Sequence, residues 1–174
     1  MPDMAHAGAF QVQSFGSSLL WVVLRPRGGD HLDDDVRALK TSGVAILVSL
    51  LTSDEQIELD LRRAAECCRA AGIEYLSVPI PDFGVPSDLR LFEQAIVKAI
   101  QAFSRAESVA VHCREGIGRS SLFATAVLVA TGIPTEQALV TASNARGLPV
   151  PDTRAQRAWL VHNAQRFATL GSGS

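Results

Sequence analysis

Apolar positions along this chain follow two periods. Val44-Ala-Ile-Leu-Val-Ser-Leu-Leu51 and Val109-Ala-Val-His112 are short, nearly unbroken apolar runs, the pattern of strands buried on both faces of a parallel sheet. Phe10-Gln-Val-Gln-Ser-Phe15 alternates, and after Gly-Ser-Ser the run Leu19-Leu-Trp-Val-Val-Leu24 predicts a second strand paired with it as a hairpin. Ile73 to Val78 predicts a further strand.

Helical spacing fills the intervals. A helix is expected from Asp33 to Lys40, with acids at its start, Lys40 at its end and Gly43 beyond. Ser53 with Gln56 fits a capping box, and Ile57, Leu61, Ala64, Ala65 and Cys68 continue as one helix to Gly72. Ser87 opens a helix whose inner face carries Leu89, Phe92, Ile96, Ala99, Ile100 and Phe103. From Arg119 an apolar helix follows, then one over Glu136 to Arg146, and a last one capped by Asp152 and running to about Phe167. This β–α–β–α–β–α order, followed by helices, predicts an α/β fold: a central, mostly parallel twisted sheet flanked by helices on both faces.

Composition narrows the class. The chain has 174 residues, 47% hydrophobic content and a net charge of −2, which predicts one domain over residues 10–168. Residues 1–9 and 169–174 are expected to be flexible. The charge argues against a nucleic-acid partner, and a monomer is expected. No run of about 18 apolar residues exists to span a membrane, and no signal pattern opens the chain, so the expected location is cytoplasmic. Three cysteines do not suggest a disulfide framework; Cys67 and Cys68 read as buried structural thiols.

Chemistry concentrates between His112 and Ser121. The strand ending at His112, a loop with Gly116 and Gly118, and the helix from Arg119 together form a concave nest of backbone N–H groups suited to a tetrahedral anion. A thiol at such a helix N-terminus beside a guanidinium ionises more readily than free cysteine, so Cys113 is expected to be a thiolate that can attack phosphorus. Arg119 can grip two phosphoryl oxygens at once. Arg114, Glu115, Gly116, Ile117 and Gly118 supply the rest of the phosphate-binding loop, the glycines allowing close backbone approach. Ser120 offers a hydroxyl to the thiolate as it leaves, and His112 is placed to hydrogen-bond the loop. Arg25-Pro-Arg-Gly-Gly-Asp30 carries two arginines but reads as a solvated turn.

His112-Cys113-x-x-Gly116-x-x-Arg119-Ser120 resembles the signature of the cysteine-dependent protein tyrosine phosphatase superfamily, and the Arg-Glu-Gly in the loop resembles the small dual-specificity phosphatases. The resemblance spans roughly residues 20–167 and is sharpest over 112–121. It implies the dual-specificity phosphatase fold and hydrolysis of phosphate monoesters through a phosphocysteine intermediate, with no metal or cofactor. It also implies an Asp general acid in a loop about thirty residues before the Cys. The proline-stiffened stretch 79–87 contains Asp82, whose carboxyl can protonate a leaving oxygen; Asp88 is the weaker candidate, at a helix start. Gln156, early in the last helix, is implied near the phosphate loop, where it could orient the hydrolytic water. Some members guard the nucleophile with a second cysteine, a role open to Cys67 or Cys68.

The expected substrate is a phosphorylated protein or peptide bearing phosphotyrosine, with phosphoserine or phosphothreonine as further candidates. Phosphate, sulfate or vanadate should occupy the same loop. Glu115 disfavours a polyphosphorylated inositide, and no basic stripe supports an RNA 5′-phosphatase. A phosphoprotein-binding domain without turnover is the alternative from another class, although relatives of that kind usually lack the Cys, the Arg or the Asp.

Overall fold

The computed structural model describes residues 8–173. Strands β1 (Ala9–Phe15) and β2 (Ser18–Val23) form the expected antiparallel hairpin, while β2, β3 (Val44–Ser49), β4 (Glu74–Ser77) and β5 (Ser108–His112) run parallel. Sheet order is β1-β2-β5-β3-β4, which puts β5 in the centre.

Alternation along the strands sorts side chains into two cores. Leu20, Val22, Ile46, Val48, Val109 and Val111 share one cluster, whereas Val23, Leu47 and Ala110 belong to the other. The first cluster packs against α4 (Leu89–Ser104), α5 (Gly118–Ala130), α6 (Thr135–Arg146) and α7 (Arg154–Leu170). The second packs against α1 (Leu32–Thr41) and α3 (Ala64–Ala71), so helices cover both faces as expected. Every residue of α5 is buried, which explains why it reads as apolar on all sides. Among the described residues no helix is long and apolar enough to cross a membrane.

Three expectations need correction. The single helix over 53–72 is two: α2 (Ser53–Glu58) and α3, separated at Asp60, whose φ is 54°. The break lets the 59–60 carbonyls close on Gly28 and Gly29: Gly29 N–H donates to Asp60 O at 3.3 Å, and a Cβ at Gly28 would lie 2.1 Å from Leu59 O. The capping box is shifted by one residue, with Thr52 as N-cap and Glu55 as its partner. Asp152 does not cap α7; Thr153 accepts from Gln156 N–H, and Gln156 Oε1 accepts from Thr153 N–H.

Regular structure reaches into both of the ends expected to be flexible. Ala9 opens β1, and Gly8 O accepts Leu24 N–H at 2.8 Å, while residues 1–7 lie outside the described residues. At the other end α7 continues to Leu170 and a 3-10 turn follows over Gly171–Gly173. This turn lies against the end of α5, so closely that a Cβ at Gly171 would sit 1.9 Å from Ala130 O.

Candidate active site

The C-terminal ends of β3, β4 and β5 deliver their loops to one edge of the sheet, where parallel sheets place their ligands. Leu50 N–H donates to His112 O at 3.0 Å, and Ile80 N–H to Leu50 O at 3.1 Å, holding the three departing segments side by side.

Cys113 leaves β5 buried, and its Sγ accepts the N–H of Gly116 at 3.3 Å. Gly116 has φ +68°, a left-handed conformation that turns this amide inward and that a side chain would strain. Ile117 is the N-cap of α5 and Gly118 its first residue. Gly118 is needed for space: a Cβ there would meet Asp152 Cβ at 3.0 Å and Gln156 Oε1 at 3.1 Å. The strand–loop–helix turn is present, with the Gly116 amide directed at the sulfur.

Arg119 is 1% exposed and heavily tethered. Its Nη1 donates to Glu55 Oε2 at 2.7 Å and Ile80 O at 2.9 Å, and its Nη2 donates to Glu55 Oε1 at 2.8 Å. Asp82 Oδ1 lies 3.1 Å from the same Nη2, so the predicted acid and the predicted phosphate-gripping arginine are neighbours. Asp82 Oδ1 also accepts Phe83 N–H at 3.1 Å, and Phe83 has φ 59° and an exposed ring. Asp88, the weaker candidate, is used as the N-cap of α4, accepting Leu91 N–H at 2.9 Å.

Other predicted residues divide by side chain. Ser120 is buried, and its Oγ has no hydrogen-bond partner among the described residues. His112 is buried with Nδ1 3.3 Å from Cys113 O, and burial pulls its pKa down to about 4, which keeps the ring neutral. Arg114 turns away to Glu58, Nη2 to Oε1 at 2.7 Å. Glu115 is exposed and Ile117 half-buried. Gln156 is fully buried at the third position of α7; its Nε2 donates to Gly84 O at 3.0 Å, so it ties the Asp82 loop to that helix. Cys67 and Cys68 belong to the core on the other face of the sheet from Cys113. Burial pushes the Cys67 thiol up and the Cys68 thiol up to about 12, which fits inert structural residues.

Sequence reasoning missed three charged residues here. Burial alone would raise the Glu55 pKa, but hydrogen bonds from Arg119 and from the Thr52 amide outweigh it and hold the carboxyl down at about 2. Thr52-x-x-Glu55 fits the capping-box pattern as well as Ser53-x-x-Gln56 does, and that register would have exposed Glu55. Arg25 is half-buried, not solvated, and donates to Arg114 O at 2.9 Å; Arg27 is the exposed member, paired with Asp35 at 2.7 Å. Arg146, in the last turn of α6, donates through Nε to Gly116 O. A cavity of about 520 Å³ is lined by Leu24, Arg25, Pro26, Arg27, Ala38 and Leu39 among others, and Cys113 does not line it.

The family to which the chain belongs sets its class, a phosphatase of the dual-specificity and protein tyrosine phosphatase superfamily. Within it, the family model described as the polymorphic toxin system DSP-PTPase phosphatase matches residues 23–133, and the chain belongs to that family. A search of curated proteins found no match. Among solved structures, the chain is similar to a kinase-associated phosphatase whose catalytic-site cysteine is replaced by serine. The TM-score is 0.80 at 21% identity, with 92% of this chain and 94% of the other covered. It is similar to PTPMT1 in complex with PI(5)P, with TM-score 0.76, 16% identity and 93% and 97% coverage. Human DUSP28 matches with TM-score 0.65, 19% identity and 92% and 95% coverage. At these identities the likenesses establish the fold.

Proposed function

We propose that this chain hydrolyses phosphate monoesters on proteins, phosphotyrosine first and phosphoserine or phosphothreonine next, through a phosphocysteine at Cys113. The observation that carries this reading is the Gly116 amide directed at Cys113 Sγ, at the head of a helix whose second residue is the buried Arg119.

The thiolate attacks phosphorus in line, forming the S–P bond as the P–O bond to the leaving group breaks. Asp82 gives that oxygen its proton. Arg119 and the loop amides stabilise charge on the three equatorial oxygens. Water, deprotonated by Asp82, then attacks the phosphocysteine and expels the thiolate, releasing phosphate. Ser120 Oγ, with no competing partner among the described residues, can donate to the sulfur as it leaves. Gln156 supports the acid's loop, with each end of its amide bonded to a backbone group. The exposed Glu115 favours phosphoprotein over a polyphosphorylated inositide, because a carboxylate at the rim repels extra phosphates.

Hydrolysis of para-nitrophenyl phosphate with EDTA present tests the reaction. Wild type should turn over, Cys113→Ser should not, and Asp82→Asn should be slower by roughly 10²- to 10⁴-fold. An inert wild type under reducing conditions at mildly acid pH would leave phosphoprotein binding as the function. Phosphate release from a phosphotyrosine peptide should exceed that from a phosphoinositide; the reverse order would overturn the substrate assignment.

A further inference from the structure

We infer that Arg25 and Arg146 are positioning residues that clamp the phosphate loop from outside, each fixing one peptide plane whose N–H faces the bound oxyanion. The inference rests on the proposed reading of residues 113–119 as an oxyanion cradle.

The two arginines reach the loop from different parts of the fold. Arg25 follows β2 and donates through Nη1 to Arg114 O at 2.9 Å. Arg146 ends α6 and donates through Nε to Gly116 O, with its guanidinium carbon 3.9 Å above the centre of the Phe10 ring in β1. That ring fixes the plane of the fork. Both side chains are half-buried, and among the described residues neither has a carboxylate within ion-pair distance. Their charges are thus left to act on the loop. Arg114, by contrast, is neutralised by Glu58.

Peptide geometry turns these outer contacts into inner ones. Among the described residues the only cis peptide bond is Val150–Pro151, so the 114–115 and 116–117 peptides are trans. In a trans peptide the C=O and N–H point in opposite directions. Anchoring Arg114 O on the outside therefore aims the Glu115 N–H to the inside, and anchoring Gly116 O aims the Ile117 N–H likewise. The amide between them, Gly116 N–H, is already on Cys113 Sγ. Three consecutive N–H groups then converge where the oxyanion binds, and two of the three are held by an arginine on the far side of their peptide plane. Donors fixed in advance stabilise the transition state without reorganising during the reaction.

The test is protection of Cys113 from iodoacetamide by inorganic phosphate, alongside kcat and KM for para-nitrophenyl phosphate and urea unfolding. Arg25→Gln and Arg146→Gln should each need roughly five- to tenfold more phosphate for half-protection, the worth of one hydrogen bond, and kcat should fall with it. Arg25→Lys and Arg146→Lys, keeping charge and one donor, should recover part of the loss. Arg27→Gln, whose partner is Asp35, should match wild type. If a glutamine variant does not fold, its lysine counterpart carries the test, with half-protection expected about two- to threefold above wild type. Folded variants with wild-type protection and kcat would overturn the clamp, as would losses that merely track the urea midpoint. A wild type that phosphate does not protect would overturn the proposed function and the clamp together.

Discussion

Arg119 and Glu55, 64 positions apart in sequence, meet fork to fork inside the protein, Nη1 on Oε2 at 2.7 Å and Nη2 on Oε1 at 2.8 Å. The pair fixes the direction in which the guanidinium presents its remaining edge, the edge that borders Asp82. Bidentate pairing suits arginine alone among the cations, and the Thr52 amide on Glu55 Oε2 keeps the carboxylate in place. Glu55→Gln removes the charge and misfits one contact. We expect kcat to fall about ten- to a hundredfold and urea unfolding to show a loss of about 3 kcal/mol, since a buried guanidinium then lacks its counter-charge. An unchanged kcat would mean that Arg119 orients itself.

Acid should weaken the fold in two steps. His112 has its folded pKa lowered by burial from 6.5 to about 4, so the unfolded chain takes up a proton at higher pH than the folded one. Its contribution is complete above about pH 6.5 and is lost as pH falls to about 4. Glu55, lowered from 4.5 to about 2, contributes fully above about pH 4.5 and loses its share as pH falls through 2. Urea midpoints measured across pH should fall between 6.5 and 4, and His112→Gln should flatten that slope while leaving the lower step.

Gly118 marks the closest approach between the phosphate loop and the last helix. Gly118→Ala brings a methyl within 3.0 Å of Asp152 Cβ, which the neighbouring cap at Thr153 holds in place. We expect a stability loss of about 1–3 kcal/mol from overpacking and a fall in kcat, because the displaced residue begins α5 beside Arg119. Thermal unfolding and steady-state kinetics read both effects.

The general architecture was legible because it depends on local period. Strands β3 and β5 are nearly continuous apolar runs, α4 shows a clear one-sided face, and two glycines follow Cys113. What stayed hidden depends on contacts between distant segments. The break between α2 and α3 answers to Gly28, some thirty residues earlier in sequence, and no periodicity within 53–72 reveals it. Glu55 carries no mark of its role in the local pattern, and only folding brings it to Arg119. Arg25 and Arg146 read as ordinary loop and helix-end cations; their partners are backbone carbonyls, which leave no mark in sequence.

Gln156 joins the last helix to the loop that carries Asp82. Its Nε2 holds Gly84 O, and its Oε1 closes the capping box at Thr153. Gln156→Ala frees both backbone groups at once. The expected result is a loss of about 1–3 kcal/mol in urea unfolding, together with a kcat reduced more than KM, since the acid's loop loses its tether. A variant with normal kcat and only lowered stability would confine Gln156 to the cap.

The central claim is that Cys113 becomes phosphorylated during turnover. Its most direct measurement is an acid-quenched reaction of para-nitrophenyl phosphate with EDTA present, followed by mass analysis of the peptide bearing Cys113. The account predicts a phosphoryl adduct on that cysteine within the first turnover, absent from Cys113→Ser and accumulating when Asp82→Asn slows the hydrolytic step. Turnover by the wild type with no adduct at Cys113, or undiminished turnover by Cys113→Ser, would contradict it.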